Sequence, residues 1–306
     1  MKHIALSFDT SNYTTSCAFF DGERGCNSGR LLPVAQGQLG LRQSEALFSH
    51  IRALPEVMDA LPLEGEIIAV GASEKPRETE NSYMPCFLAG STQAQVTAKA
   101  MGLPCYMFSH QQGHIAAAAW SAGRLELIDS PLLAWHLSGG TTELLHVEPR
   151  GSAVRCGIIG KTTDVSAGQL IDRTGVLLGL EFPAGRALDA LAREAENETQ
   201  YDAKLSGLDF SFSGVEHKMK QLREQGASPG DIAYFTLASV ASTVQRVTDR
   251  ALERYGDMPV LFSGGVASNS LLRERMTDGI FAQPRYSTDN AMGIAILTYR
   301  AVKNGE

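Results

Sequence analysis

The stretch Leu132-Leu133-Ala134-Trp135-His136-Leu137-Ser138-Gly139-Gly140-Thr141-Thr142 decides how this chain is read. An apolar run gives a strand signal, a turn of small residues follows, and Leu144-Leu145-His146-Val147 returns as a second strand. The beginning of the chain repeats this grammar. Ile4-Ala5-Leu6-Ser7-Phe8 reads as a strand, Asp9 to Ser16 as a polar turn, and Cys17-Ala18-Phe19-Phe20 as the returning strand. A second pair of segments also echoes. Ile67-Ile68-Ala69-Val70-Gly71 leads towards a helix predicted near 92–101, and Val260-Leu261-Phe262-Ser263-Gly264-Gly265 towards one near 269–277. These echoes predict an α/β chain of two related halves, 1–125 and 126–306, closely packed with a cleft between them. The repeat is weak, because short strands also resemble one another by chance.

Length and composition agree with that division. The 306 residues suit one large or two medium domains. With 43% hydrophobic and 20% charged residues the chain is globular rather than disordered. Helix signals fall in a segment of about 160–255, read as a helical insertion in the second half. Ala167 to Leu178 is periodic and is stopped by Gly179. Ser228-Pro229-Gly230-Asp231 carries a cap, a proline at the first position and an acid three residues after the cap. The helix that follows sets Val240, Val244, Val247 and Ala251 on one face.

Charge and cysteines narrow the function classes. There are 27 Lys and Arg against 34 Asp and Glu, a net charge of −7, so bulk charge does not attract nucleic acid. If RNA is a substrate, a basic patch or a basic partner must supply phosphate contacts. The 5 cysteines are an odd number without C-x-x-C spacing, which disfavours a disulfide framework and a cysteine zinc site. The apolar start ends at Asp9, too short for a signal peptide, and no apolar run reaches about 18 residues. A soluble, cytoplasmic protein is expected, with no membrane partner.

Three constellations carry chemistry. His110-Gln111-Gln112-Gly113-His114 spaces two imidazoles one helical turn apart, where both reach one metal. Two unrelated histidines would give the same spacing. Asp289, in Ser287-Thr288-Asp289-Asn290, is a candidate third ligand. The zincin pattern H-E-x-x-H needs a glutamate where Gln111 stands, so metallopeptidase chemistry lacks its base. Ser138-Gly139-Gly140-Thr141-Thr142 and Ser263-Gly264-Gly265 are turns whose backbone N–H groups approach an anion closely. Two of them, in matching places of the halves, predict phosphates held across the cleft, although tight turns use the same residues. Neither G-x-x-x-x-G-K-[ST] nor G-x-G-x-x-G occurs. Finally, Asp172 falls in a predicted helix as a solvated edge residue or as an acceptor for a hydroxyl-rich ligand such as ribose.

Seven motifs in order resemble those of the tRNA threonylcarbamoyladenosine transferase family, historically labelled sialoglycoprotein endopeptidase and peptidase family M22. They are His110/His114, Leu137-Ser138-Gly139-Gly140-Thr141, Thr163-Asp164 through Asp172, Phe182-Pro183-Ala184-Gly185, Phe210-Ser211-Phe212-Ser213-Gly214, Gly264-Gly265-Val266 to Asn269, and Thr288-Asp289-Asn290. The match covers most of the chain from about residue 105. It implies two actin-like, sugar-kinase-like (ribonuclease-H-like) lobes around a nucleotide cleft. It implies that His110, His114 and Asp289 bind one divalent metal, iron or zinc. Leu137 to Thr141 would wrap the nucleotide and acyl portion of threonylcarbamoyl-adenylate or ATP, Asp172 would accept ribose hydroxyls, and Gly185 and Asn269 would line the adenosine side. The implied acceptor is the amino group of the adenosine beside the anticodon in tRNA. The implied setting is a hetero-complex with a related actin-like paralog and an ATPase. A non-catalytic nucleotide-binding partner is the alternative, and an M22-type metalloendopeptidase a weaker one.

The chain also departs from the family's pattern. The family's Glu-Thr-Ser-Cys-Asp-Glu-Thr-Ser loop is here Asp9-Thr10-Ser11-Asn12-Tyr13-Thr14, without two of the acids. Leu41-Arg42-Gln43-Ser44 stands roughly where the family has Ala-Ser-Arg-x-His. Lys75-Pro76-Arg77-Glu78-Thr79-Glu80-Asn81-Ser82-Tyr83-Met84-Pro85 replaces its Gly-Pro-Gly stretch and is a surface loop or an RNA- or partner-facing one. Asp164-Val165 replaces an Asp-Asp pair and Gly168-Gln169 a Gly-Glu. The pattern is that of a divergent bacterial paralog.

Overall fold

The structure is a computed structural model that describes residues 2–11, 13–33, 41–287 and 290–306. Met1, Asn12, Thr288, the expected ligand Asp289 and residues 34–40 lie outside the described residues. The chain runs through β1 (His3–Ser11), β2 (Thr14–Phe20), β3 (Gly25–Leu31), α1 (Gln43–Asp59), β4 (Glu66–Lys75), α2 (Phe87–Met101), β5 (Cys105–Ser109) and α3 (His110–Ser121). It continues through β6 (Leu132–Leu137), β7 (Thr142–Arg150), β8 (Ala153–Lys161), α4 (Ala167–Leu177), α5 (Gly185–Ala192), β9 (Lys204–Ser206), β10 (Asp209–Ser211) and α6 (Ser213–Glu224). The last elements are α7 (Pro229–Tyr255), β11 (Val260–Ser263), α8 (Ser270–Arg275), β12 (Ile280–Phe281) and α9 (Met292–Asn304).

The echo read in the sequence is a topological repeat. One sheet has the order β3-β2-β1-β4-β5 and another β12-β11-β6-β7-β8, which is the same order with β6, β7, β8, β11 and β12 in the places of β1 to β5. In both, the hairpin pair is antiparallel and the two later strands add in parallel on the other side. The strands reach further into the polar turn than expected, with β1 ending at Ser11 and β2 starting at Thr14. Polar residues extend these strands because each finds a buried partner. Thr15 Oγ1 lies 2.8 Å from His50 Nδ1, and Thr10 Oγ1 donates to Cys86 O at 2.9 Å. Thr10 Oγ1 also accepts from Gly90 N at 3.0 Å. That contact holds the first turn of α2, which begins at Phe87 rather than near 92.

The chain forms two units that do not follow a single boundary. One comprises Met1–Ser130, Glu148–Cys156 and Arg285–Glu306; the other Pro131–Val147 and Gly157–Pro284. Against the expected division at 1–125 and 126–306, residues 148–156 and α9 belong with the first unit. In the first unit, Leu6, Phe8, Val70 and Ala72 pack with Leu54, Val57, Ala89 and Ala94 of α1 and α2. The opposite face of the sheet meets α9. A Cβ built at Gly71 would overlap the Thr298 side chain, and one at Gly293 would overlap the Gly113 carbonyl, so α9 lies close on both β4 and α3.

In the second unit, the core joins Leu133, Trp135 and Leu137 of β6 to Leu170, Leu188, Val215, Val240, Val244, Val247 and Ala251. Trp135 Nε1 donates to Thr248 Oγ1 of α7 at 2.9 Å, which satisfies the one polar atom of a fully buried indole. The helix starts read in the sequence form as expected. Ser228 accepts from Asp231 N with Pro229 in the first turn, and Ser166 and Gln169 make a capping box at α4. Gly179, at φ 76°, follows the end of α4.

The Gly113–Gly293 crossing predicts an asymmetric response to added methyl groups. Gly293→Ala should destabilise by about 1–3 kcal/mol or more in chemical denaturation. Gly157→Ala, whose nearest neighbour would be the His146 carbonyl at 3.9 Å, should stay within about 0.5 kcal/mol of wild type.

Candidate functional site

The first unit gathers its polar residues at the carboxyl ends of its parallel strands. Alternation along β1 sends Leu6 and Phe8 to the α1/α2 core and Ser7, Asp9 and Ser11 to the other face. Ser7 Oγ donates to Ala291 O at 2.8 Å, which marks that face as the one covered by α9 and α3. Phe8 is registered with Ala72, so Ser73 falls beside Asp9 on the same face. Asp9 is only 1% exposed. One of its oxygens accepts from Ser11 N at 2.9 Å and the other lies 2.7 Å from His110 Nδ1.

His110 is the first residue of α3, whose start is capped by Ser109 in a capping box with Gln112. His114 follows one turn later, and the two ring centroids are 4.3 Å apart. Phe87 meets the His110 ring edge-on at 6.1 Å. The spacing that was open in the sequence therefore resolves into two imidazoles in contact, one of them backed by a buried carboxylate. Among the described residues no three His, Cys, Asp or Glu side chains gather as a metal-binding group, and Asp289 is not among them. The donor set fits a metal such as zinc or iron. Two imidazoles share one helical turn, and a ligating histidine ordinarily gives its other ring nitrogen to a carboxylate.

The loop 76–85 is anchored to the same turn of α3, because Gln111 N donates to Pro76 O at 3.0 Å. Arg77 N donates to Ser82 Oγ at 3.0 Å across the loop, and Tyr83 is 62% exposed at its far end.

The expected nucleotide residues all fall in the second unit, joined by a chain of short contacts. The loop after β6 closes through Ser138 N to Thr141 O at 2.8 Å and Thr141 N to Ser138 Oγ at 3.0 Å. Ser166 Oγ donates to Gly139 O at 2.6 Å, and a Cβ at Gly168 would come within 2.5 Å of Gly139 Cα. The N-terminus of α4 thus lies directly against the loop. Its N–H groups are largely engaged: Ala167 N donates to Thr142 Oγ1 at 2.8 Å and Gln169 N to Ser166 Oγ at 3.1 Å. The open backbone lies at Gly139 and Gly140, which are exposed and whose Cβ positions meet nothing within 4 Å.

Both small-residue turns belong to this unit, which corrects the expectation that they occupy matching places of the two halves. Ser263 is registered with His136 on the neighbouring parallel strand, and a Cβ at Gly264 (φ 92°) would overlap the Leu137 carbonyl. The strand equivalent to β11 in the first sheet is β4, and Lys75-Pro76 follows it instead of glycines.

Three sequence candidates carry structural duties as well. Asp172, half-buried on α4, accepts from Ala184 N at 2.9 Å with one oxygen, which fixes the turn before Gly185, the first residue of α5. Asn269 caps α8 by accepting from Leu272 N at 2.9 Å, and its amide donates to Asp189 Oδ1 at 3.0 Å. Gly185 faces nearly open space.

Sequence reasoning missed Asp189, which also accepts from Ser270 N and Oγ, and missed the role of Asp164. Asp164 joins two of the motifs. It accepts from Val165 N at 2.7 Å, Phe212 N at 2.9 Å, Ser213 N at 3.2 Å and Ser211 Oγ. Burial pushes its carboxyl up, but these donors outweigh burial and hold it at about 2, below its ordinary 3.8.

This arrangement defines a transferase of the actin-like, sugar-kinase-like fold. Solved structures share the fold over nearly the whole chain. They include the (R)-2-hydroxyglutaryl-CoA dehydratase component A of Acidaminococcus fermentans, at TM-score 0.58 and 16% identity over 99% of each chain. HypF of T. kodakarensis matches at TM-score 0.61 and 15% identity over 99% of this chain and 48% of its own. A ROK hexokinase of Thermus thermophilus matches at TM-score 0.51 and 13% identity over 98% and 99%. The family model for tRNA N6-adenosine threonylcarbamoyltransferase (TsaD) matches residues 83–296. The protein of that name from Thermus thermophilus is 33% identical over 268 residues, 84% of this chain and 79% of its own length. That of Streptococcus suis is 30% identical over 262 residues, 81% and 76%. The chain belongs to the tRNA N6-adenosine threonylcarbamoyltransferase family. No helix among the described residues is long and apolar enough to cross a membrane.

The depressed carboxyl of Asp164 sets a pH dependence. Its folded value lies below the unfolded one, so its contribution is present above about pH 4 and is lost as pH falls towards 2. Asp164→Asn should therefore lower the denaturation midpoint at pH 7, and the gap to wild type should shrink between pH 4 and pH 2.

Proposed function

We propose that this chain transfers a threonylcarbamoyl group from threonylcarbamoyl-adenylate to the amino group of the adenosine beside the anticodon in tRNA. Family membership over residues 83–296 supports the reaction class, and the His110–His114 pair backed by buried Asp9 carries the metal dependence. One divalent metal, iron or zinc, would be held by His110, His114 and Asp289. When bound it would polarise the carbamoyl carbonyl and neutralise the departing phosphate. The adenosine nitrogen forms a bond to the carbamoyl carbon, the bond from that carbon to the phosphate oxygen breaks, and AMP leaves.

The chain's own residues would bind and orient the donor. Leu137-Ser138-Gly139-Gly140-Thr141 offers open glycine backbone to phosphate and acyl oxygens. Asp172 has one oxygen tied to Ala184 N, which leaves the other for ribose hydroxyls. Gly185 and Asn269 would shape the adenosine side, Asn269 held in place by Asp189.

The net charge of −7 implies that tRNA is gripped largely through partners. We infer a hetero-complex with a related actin-like paralog and an ATPase in the cytoplasm. Exposed Phe48, Ile51, Leu88 and Val96 on α1 and α2, beside a groove of about 740 Å³, support an apolar interface on the first unit.

The direct test supplies threonylcarbamoyl-adenylate, unmodified tRNA and the partner proteins, and reads modified adenosine by mass spectrometry of nucleosides. Wild type should form it, and His114→Ala should reduce the rate by about two orders of magnitude. No product with any combination of partners would contradict the reading.

A further inference from the structure

We propose that Asp9 is a positioning residue that fixes the tautomer of His110, with the proton on Nδ1 and the bare lone pair on Nε2. Asp9 Oδ2 lies 2.7 Å from His110 Nδ1, and a carboxylate accepts hydrogen bonds without donating them. The proton between them therefore belongs to Nδ1. In the neutral ring Nε2 then has no hydrogen and is the nitrogen offered to an electrophile.

The carboxylate is placed for this work. Asp9 is 1% exposed, and its other oxygen is held by Ser11 N at 2.9 Å. The hydroxyls nearest it on that sheet face do not take over the bond to His110: Ser11 Oγ and Ser73 Oγ are buried and hydrogen-bond to nothing. The ring is confined as well, by Phe87 at 6.1 Å and His114 at 4.3 Å between centroids, so it does not turn over freely to exchange its nitrogens. Removing Asp9 leaves the ring in place with its tautomer unset. The charge–dipole attraction that raises the basicity of Nε2 is lost with it.

The tautomer is a property of the metal-free chain and stands without the metal. Only the second readout below rests on the proposed function. The full chain is labelled with 15N-histidine, and the His110 signals are assigned by their loss in His110→Gln. In metal-free wild type at neutral pH we expect a protonated Nδ1 and an unprotonated Nε2. Asp9→Ala should lose that single pattern, and Asp9→Asn, which keeps one acceptor oxygen, should fall between the two. Zinc added alone should bind Asp9→Ala about 10–100-fold more weakly than wild type, with the loss in Asp9→Asn smaller.

A proton on Nε2 in wild type, or on both nitrogens, would overturn the assignment. So would an unchanged His110 pattern in Asp9→Ala. The wild-type spectrum decides even where a variant fails to fold. A correct tautomer in a chain that binds no zinc would instead remove the metal from the proposed function and leave this inference standing.

Discussion

The contact between Asp9 and His110 organises the first unit. A carboxylate at 1% exposure is tolerated only when it is paired, since burying an uncompensated charge costs several kcal/mol. Pairing it requires the end of β1 and the first turn of α3 to meet, and the rest of the unit is arranged so that they do. Ser109 caps α3 at the end of β5, which puts His110 beyond the carboxyl ends of the parallel strands. The glycines Gly113 and Gly293 bring α9 close enough to hold α3 against the sheet. Thr10, next to Asp9, points to the opposite face and ties down α2. One tripeptide, Asp9-Thr10-Ser11, therefore fastens a helix on each side of the sheet.

The second unit solves a different problem with the same strand order. Its helix α4 starts against the Ser138–Thr141 loop, but capping by Ser166, Gln169 and Thr142 engages most of the helix N-terminal donors. An anion there would be received by the loops, not by the helix end. The glycines sort accordingly. Gly168 and Gly264 are close-packed against backbone, while Gly139, Gly140 and Gly265 face open space. Small residues thus serve packing at some positions and access at others, a distinction that a bare glycine motif does not carry.

Much of the architecture was legible because it depends on local patterns. Hairpins with matching apolar runs announced the repeat, and capping signals at Ser166 and Ser228 placed the long helices of the second unit. The return of α9 to the first unit was not legible. Its apolar face says that it is buried, but not against which sheet, and the decisive fits are Gly71 with Thr298 and Gly293 with Gly113. The His110–His114 spacing was visible, whereas Asp9 lies 101 residues away from His110 and stood only as a departure in a loop. Its place at the carboxyl end of the first strand of an α/β sheet, where ligands gather, was the available signal. Asp164 and Asp189 were hidden for the same reason: each accepts from segments far away in sequence, and a single carboxylate in a motif does not reveal whether it faces a ligand or the chain itself.

The most direct measurement is anomalous X-ray scattering at the zinc edge from crystals of the full chain grown with zinc and an adenine nucleotide. The account predicts a single strong peak about 2.0–2.1 Å from His110 Nε2 and from a ring nitrogen of His114, with His110 Nδ1 still bonded to Asp9. A peak on His110 Nδ1 with Asp9 displaced, or no peak at the histidine pair while zinc sits elsewhere, would contradict it.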